Sequence, residues 1–136
     1  EQGHDINIPF DEVVRIVGQE VAERLKDLSL RIYSRAMDIT LKKGIIIADT
    51  KFEFGLYGNK LMLIDELLTP DSSRFWSTKD YVPGKGQESF DKQIVRDYLL
   101  TLDWDQTYPG PVLPEEIVEK TAARYKEILK ILTGQE

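Results

Sequence analysis

The sequence predicts an α+β domain in which long helices cover an antiparallel sheet with a hairpin at its centre. Residues 10–43 carry apolar side chains at steps of three and four, which is typical of helices. Residues 45–54 and 61–66 are two β-rich runs on either side of a Gly-Asn pair, which predicts a hairpin. Residues 114–132 return to a helical pattern. The 136 residues are enough for a single domain with a core.

Glycine and proline divide the helical regions. Gly18 predicts a short helix followed by a long one, because glycine inside a helix costs about 1 kcal/mol. The sequence KKG at 42–44 supplies the basic last turn and the glycine that commonly end a helix. Ser89 is a candidate N-cap for a third helix. Pro114 suits the first turn of the last helix, and Gly134 suits its end.

The run IIIADTKFEFG at residues 45–55 begins as a buried strand and becomes ionic at every second position. Alternate residues of a strand share a face. The face that we expect to pack on the helices consists of Ile46, Ala48, Thr50, Phe52 and Phe54. The face that changes from apolar to ionic consists of Ile45, Ile47, Asp49, Lys51 and Glu53. A strand whose ionic half meets solvent is the plain alternative to a functional site.

The loop of the hairpin decides which residues face each other. A two-residue loop at 58–59 would place Glu53 opposite Ile64 and would turn Asp65 to the other face. A loop that also includes Lys60 would place Glu53 opposite Asp65, about 5 Å apart at Cβ. Two carboxylates at that distance repel each other unless a cation lies between them. The longer loop therefore predicts a site for a hard cation such as Mg²⁺.

Composition excludes several classes of function. A net charge of −6 and a pI near 4.9 argue against general nucleic-acid binding, which needs a basic surface. The chain has no cysteine and a single histidine, His4, which excludes thiolate and multi-histidine metal sites. No apolar run approaches the roughly 20 residues that span a bilayer. The N-terminal EQGHDINIPF begins without methionine, and we expect the chain to be part of a larger protein.

Four motifs in order closely resemble the later half of the phosphoribosylaminoimidazole-succinocarboxamide synthase (SAICAR synthetase) family. They are GHD at 3–5, IIIADTKFEFG, LIDELLTPDSSRFW and SFDKQIVRDYL, and the resemblance covers essentially the whole chain. It implies the larger lobe of a two-lobed fold related to kinases and ATP-grasp proteins. Residues 1–136 would form the C-terminal lobe that binds substrate and metal. The family's N-terminal nucleotide-binding lobe has no counterpart in this sequence.

The resemblance implies an ATP-dependent ligase that joins L-aspartate to carboxyaminoimidazole ribonucleotide in cytoplasmic purine biosynthesis. The reaction would proceed through an acyl phosphate, with ATP and Mg²⁺. We expect this chain alone to be an incomplete enzyme, because ATP binds between the two lobes of the family. The resemblance implies neither a nucleic-acid nor a membrane partner, and a homo-oligomer stays open. The alternatives are a non-catalytic α+β interaction module with a solvated acidic hairpin, and a small-molecule kinase.

The resemblance also assigns roles to residues of the hairpin region. Glu53 and Asp65 match the ligands of the metal and of the nucleotide phosphates, and we expect the three-residue loop that brings them together. Lys51 and Asp49 match catalytic positions, where Lys51 would neutralise the activated carboxylate and Asp49 would orient it. A structural ion pair is the alternative for these two residues.

The segment at 69–76 is rich in turn-forming residues and predicts a loop. Its Ser73 and Arg74 match the family's ribonucleotide-phosphate binders, and the fork of arginine suits phosphate. We expect Asp71 to shape the turn rather than to contact a ligand.

Three further residues are candidates for substrate binding. Lys92 and Arg96 are four residues apart, so they share one helix face. A solvated helix surface is the alternative for this pair. Asp5 matches a position near the substrate, with a frayed terminus as its alternative.

Overall fold

The computed structural model describes residues 6–90 and 92–135, so Asp5 and His4 lie outside the described residues. Its helices and strands, in chain order, are α1 (Phe10–Val17), α2 (Gln19–Leu41), β1 (Ile45–Thr50), β2 (Glu53–Tyr57), β3 (Lys60–Ile64), β4 (Ser73–Ser77), α3 (Gln93–Leu100) and α4 (Glu115–Thr133). Two compact units share the chain, and the division between Arg35 and Ala36 falls inside α2. The predicted α+β class with antiparallel strand pairing is confirmed.

The first unit contains α1 and most of α2, up to Arg35. Gly18 separates the two helices, as predicted, with a φ of 83° that favours glycine. Its N–H donates to the carbonyl oxygen of Val14 at 2.8 Å and closes the last turn of α1. Within this unit the Lys26 Nζ lies 5.1 Å from the centre of the Phe10 ring.

The helix ends of the second unit also follow the sequence pattern. Gly44 follows the end of α2, and its N–H donates to the carbonyl oxygen of Leu41 at 3.0 Å. Helix α4 begins directly after Pro114 and ends before Gly134, whose N–H donates to the Lys130 carbonyl oxygen at 2.8 Å. Within residues 6–90 and 92–135, no helix is both long and apolar enough to cross a membrane.

The first strand pair forms the buried centre of the second unit. Strand β1 ends at Thr50 rather than at residue 54, and its antiparallel partner is β4. The prediction of a loop over residues 69–76 is therefore wrong for the part that forms β4. Ile45, Ile47 and Phe75 are each at most 2% exposed, and Ile47 lies directly opposite Phe75. Burial of these side chains holds β4 on β1.

A β-bulge at Ala48 changes the faces of β1. Ile47 pairs with Phe75, and Asp49 pairs with Arg74, so that Ala48 has no partner on β4. Because Phe75 and Arg74 are neighbours on one strand, they lie on opposite faces, and so do Ile47 and Asp49. The prediction that Ile47 and Asp49 share a face is wrong. The extra residue of a bulge shifts the alternation by one position.

The burial of the two faces of β1 is also different from the prediction. Ile45 and Ile47 are fully buried, whereas Ile46 and Ala48 are only partly buried. Beyond the end of β1, the rings of residues 52 and 54 are partly buried and meet edge to face, with centroids 6.4 Å apart. The deeper core contact is therefore made by the face that we expected to become ionic.

Strands β2 and β3 form the predicted hairpin, but with the shorter loop. Tyr57 pairs with Lys60 across a two-residue loop, and Glu53 pairs with Ile64. The expected three-residue loop is therefore wrong. Gly58 has a φ of 58° at the first loop position, where a type II′ hairpin turn requires glycine.

Candidate functional site

A pocket of about 340 Å³ lies where β1, β4 and the start of α3 meet. We call it the basic pocket, and its lining residues are Asp49, Asp71, Ser72, Ser73, Arg74, Lys92 and Arg96. Five of these were predicted from the sequence as site residues, namely Asp49, Ser73, Arg74, Lys92 and Arg96. Three cationic side chains face two carboxylates here, so the pocket carries a formal charge of +1 in a chain of net charge −6. This local excess of positive charge suits an anionic ligand.

Arg74 is oriented by Asp49. The Arg74 Nε donates to the two Asp49 carboxylate oxygens at 2.9 and 3.1 Å, and a terminal guanidinium nitrogen of Arg74 donates to the same carboxylate. This hydrogen bonding holds the pKa of Asp49 below its ordinary value of 3.8, and the Arg96 charge acts in the same direction. Partial burial of the carboxyl opposes the shift. The bulge at Ala48 places Asp49 and Arg74 opposite each other, and this pairing allows the contact.

Ser73 is held at the buried edge of the basic pocket. It is 4% exposed, and its Oγ lies 2.9 Å from the Thr50 Oγ1 on the paired strand. Before it, the N–H of Thr69 donates to the Ser72 Oγ at 3.1 Å, and the Ser72 N–H donates back to the Thr69 carbonyl oxygen at 3.2 Å. Ser72 therefore lies in a turn that local hydrogen bonds support, and Ser73 begins β4 directly after it.

Lys92 and Arg96 enter the basic pocket from the start of α3. Lys92 directly precedes the helix, and its carbonyl oxygen accepts the Arg96 N–H at 3.0 Å. The two cations are thus one helical turn apart and line the same pocket, as their spacing predicts. The helix begins at Gln93, so Ser89 is not its N-cap. The Ser89 Oγ donates instead to the carbonyl oxygen of Phe75 at 3.3 Å.

Three further predicted site residues, Lys51, Glu53 and Asp65, do not line the basic pocket. The Lys51 Nζ lies 2.7 Å from a carboxylate oxygen of Glu53, and both side chains are well exposed. Glu53 lies opposite Ile64, and Asp65 follows with a φ of 63° that interrupts the strand geometry. Lys51 therefore pairs with Glu53 rather than with Asp49, and Glu53 does not face Asp65 across the hairpin.

Glu53 and Asp65 have the oxygen donors that Mg²⁺ prefers, but the hairpin does not assemble them into a complete site. The described residues contain no group of three or more Asp, Glu or His side chains that could hold a metal ion. Mg²⁺ is commonly bound by one or two carboxylates, with water and substrate phosphates as its other ligands. The carboxylates of Glu53 and Asp65 therefore fit Mg²⁺ chemically. The register of the hairpin does not bring the two residues opposite each other and so gives the site no further support.

Sequence reasoning missed the position of Asp71 and the residue that holds it. Asp71 lines the basic pocket, and its Oδ1 accepts a hydrogen bond of 2.8 Å from the Tyr125 hydroxyl of α4. We expected Asp71 only to shape a turn, and Tyr125 fits the apolar pattern of its helix. The two residues are 54 positions apart, and no local spacing signals their contact.

A second, more apolar pocket of about 520 Å³ adjoins the basic pocket through Arg96, which lines both. Its other walls are formed by three leucines of α3 and the following segment, with Trp104 and Gln106. The Trp104 Nε1 donates to the carbonyl oxygen of Thr107 at 2.8 Å and so fixes the ring. Arg96 is therefore the residue that connects a polar and an apolar pocket.

Several known proteins of similar sequence share one name. The family model described as SAICAR synthetase matches residues 1–111. The phosphoribosylaminoimidazole-succinocarboxamide synthase of Thermodesulfovibrio yellowstonii is 65% identical over 134 residues, which are 98% of this chain and 46% of that protein. The enzyme of the same name from Trichlorobacter lovleyi is 61% identical over 96% of this chain and 44% of its own length.

Solved structures agree with the sequence comparisons. A SAICAR synthase from Saccharomyces cerevisiae complexed with SAICAR has a TM-score of 0.86 and 42% identity, over 97% of this chain and 44% of that one. A type-2 SAICAR synthetase in complex with ADP has a TM-score of 0.69 and 28% identity, over 98% of this chain and 47% of that one. The chain thus spans less than half the length of the relatives it matches. By sequence and by fold, the chain belongs to the SAICAR synthetase family.

Proposed function

We propose that this chain supplies the ribonucleotide-binding lobe of an ATP-dependent ligase of purine biosynthesis. The ligase joins L-aspartate to carboxyaminoimidazole ribonucleotide and forms SAICAR. The observation that carries the proposal is the basic pocket, which brings together Ser73, Arg74, Lys92 and Arg96 in a member of this family. The names of the relatives and the likeness to a synthase complexed with SAICAR support it.

The basic pocket suits the phosphate of the ribonucleotide. Arg74 presents a planar fork of N–H donors, a geometry that matches phosphate oxygens. Asp49 holds that fork in one orientation, so less side-chain freedom is lost when a ligand binds. Lys92 and Arg96 add two positive charges from one turn of α3. The pocket is therefore arranged for a ligand with at least one negative charge.

The proposed reaction has two steps. The carboxylate of the ribonucleotide takes the γ-phosphoryl group of ATP and becomes an acyl phosphate, with ADP as the other product. The amine of aspartate then attacks the acyl carbon, the C–O bond to phosphate breaks, and the amine loses a proton to give the amide. Such chemistry depends mainly on positioning and charge neutralisation. We assign neutralisation of the reacting carboxylate to Lys51, and orientation through Arg74 to Asp49.

We also propose that Glu53 and Asp65 each coordinate, through a carboxylate oxygen, a Mg²⁺ ion that binds with ATP. The donor chemistry and the motif resemblance support this assignment. When bound, the ion would neutralise charge on the nucleotide phosphates. A cytoplasmic location is a further proposal that rests on the resemblance.

The proposed activity can be tested in a full-length synthetase that contains this sequence. ADP release is measured with ATP and Mg²⁺, with and without aspartate and the ribonucleotide. We expect sustained ADP release over many turnovers to require both substrates. Sustained ADP release with the ribonucleotide alone would indicate a kinase, and no release under any condition would indicate a non-catalytic module.

The metal assignment predicts a specific loss in the Glu53→Gln variant. The full-length enzyme should lose its activity, and the folded protein should lose the stabilisation that rising Mg²⁺-ATP gives to the wild type. Binding to the native state alone stabilises it by RT ln(1 + [L]/Kd), so the unfolding midpoint reports the loss without an activity measurement. Stability without ligand should change by no more than about 1 kcal/mol, because the Lys51–Glu53 pair is exposed.

Glu88→Gln is the matched control for this variant. Glu88 forms an exposed ion pair with Arg124 at 2.8 Å, and it does not line the basic pocket. The same change of charge and shape there should leave activity and the Mg²⁺-ATP response unaltered. A Glu53→Gln variant that keeps both properties would contradict the assignment.

A further inference from the structure

We propose that Tyr125 is a positioning residue that sets the phosphate affinity of the basic pocket by holding the carboxylate of Asp71. This inference rests on the proposed function, because it assumes that the basic pocket binds phosphate. Helix α4, which carries Tyr125, lies beyond residues 1–111 that the family model matches.

The contact joins the last helix to the wall of the basic pocket. The Tyr125 hydroxyl lies 2.8 Å from the Asp71 Oδ1, across 54 residues of sequence. Tyr125 is partly buried on α4, whereas Asp71 is exposed and lines the same pocket as Arg74, Lys92 and Arg96. A change at Tyr125 therefore reaches the basic pocket through Asp71.

The backbone that leads to Asp71 adopts unfavourable conformations at two positions. Asp65 and Leu68 have φ values of 63° and 55°, in a backbone region that residues other than glycine rarely adopt. Such conformations persist only where the surrounding structure enforces them. The Thr69 side chain makes local contacts, accepting the N–H of Asp71 at 3.2 Å. The Tyr125 hydrogen bond adds a long-range restraint.

The electrostatic consequence follows from the charge of the two partners. A tyrosine hydroxyl fixes one carboxylate oxygen and brings no positive charge to it. None of the ion pairs among residues 6–90 and 92–135 includes Asp71, although Arg74, Lys92 and Arg96 line the same pocket. A carboxylate released from Tyr125 can swing towards these cations and compete with phosphate. Tyr125 thus keeps the Asp71 carboxylate from competing with the ligand for these cations.

The competing explanation is that Tyr125 only packs α4 against its neighbours. Tyr125→Phe keeps the ring and removes the hydroxyl, so it separates the two explanations. A packing role predicts unchanged phosphate binding. The positioning role predicts weaker phosphate binding with a nearly unchanged unfolding midpoint.

The test measures binding of inorganic phosphate to this chain by isothermal titration calorimetry at low ionic strength. We expect Tyr125→Phe to weaken binding about fivefold, the usual scale for the net contribution of one ordinary hydrogen bond. Tyr108→Phe is the control, because Tyr108 is 96% exposed and does not line the basic pocket. Its phosphate affinity should equal that of the wild type.

A double-mutant cycle identifies the route of the effect. Asp71→Asn removes the competing charge, so that variant should bind phosphate at least as tightly as the wild type. In the Asp71→Asn background, Tyr125→Phe should have no further effect. In the full-length enzyme, Tyr125→Phe should raise the KM for the ribonucleotide about fivefold and leave kcat and the KM for ATP unchanged.

Three results would overturn the inference: no measurable phosphate binding by the wild type, wild-type affinity in Tyr125→Phe, or an equal loss in the Asp71→Asn background. Failure of the proposed function gives a different result. In that case the full-length enzyme would release no ADP in response to aspartate, and the phosphate affinities of the variants would still follow the expected order.

Discussion

The two strand pairs of the second unit differ in burial although both are short and antiparallel. Strands β1 and β4 contain Ile45, Ile47 and Phe75, all nearly inaccessible to solvent. No residue of β2 or β3 is buried, and Leu56 and Tyr57 are 59% and 79% exposed. A two-stranded hairpin is at best marginally stable by itself, so the first pair must provide most of the local stability.

The difference shows where a precise site can be built. Asp49, Ser73 and Arg74 lie on the buried pair, whose core contacts fix the backbone beneath them. Glu53 lies on the exposed pair, and Asp65 directly follows it. The basic pocket is therefore preorganised by packing, whereas the proposed metal ligands have less support from burial.

The largest expected effect is on stability. Phe75→Ala should destabilise the chain by about 3–5 kcal/mol, because it removes a fully buried ring from the β1–β4 pair. Leu56→Ala on the exposed hairpin is the comparison and should cost less than about 1 kcal/mol. Urea unfolding curves measure both. Equal losses at the two positions would remove the distinction between the strand pairs.

The next effect is on ligand binding. In the full-length enzyme, Arg74→Ala should weaken ribonucleotide binding by about 1.5–3 kcal/mol, because it removes a charge-assisted contact to phosphate. ATP binding should change much less. Lys79→Ala, an exposed change shortly after β4, should alter neither affinity. Equal losses of ribonucleotide and ATP affinity in Arg74→Ala would refute the assigned role.

The smallest effect is on the pH dependence of stability. The pKa of Asp49 is lower in the folded protein than the ordinary 3.8. Asp49 therefore stabilises the fold above its unfolded pKa, and this stabilisation is lost as the pH falls through the lower, folded value. The carboxylate is half exposed, so the contribution should be under about 1 kcal/mol.

Unfolding of the wild type and of Asp49→Asn should be compared between pH 6 and about pH 2.5, a range that brackets the ordinary aspartate pKa. The wild type should lose more stability than the variant at the acidic end. In an Arg74→Ala background the difference should vanish. A difference that persists there would show that Arg74 is not its cause.

Elements with local signals were predicted from the sequence. Gly18 and Gly134 mark helix ends through backbone preferences of single residues, and the Gly-Asn pair marks the hairpin. The two-residue loop was also predictable, because glycine at the first loop position is typical of a type II′ turn. The longer loop was expected because a cation shared by Glu53 and Asp65 would require it, and that register prediction is wrong.

Features that depend on distant partners could not be predicted in the same way. Strand β4 pairs with β1 across more than 20 residues, and its segment begins with turn-forming residues. The bulge at Ala48 exists only in relation to that partner. The Tyr125–Asp71 contact joins residues 54 positions apart. The chemical identity of the site residues was visible in the sequence, but their grouping in one pocket required the tertiary structure.

The bulge at Ala48 makes the two ends of β1 separately mutable. Before the bulge, Ile45 and Ile47 are constrained by packing in the core. After it, Asp49 is constrained by its contacts in the basic pocket. Selection can therefore change the chemistry at position 49 without disturbing the hydrophobic layer two to four residues earlier. An engineer could do the same, provided that the length of the strand between the two ends is kept.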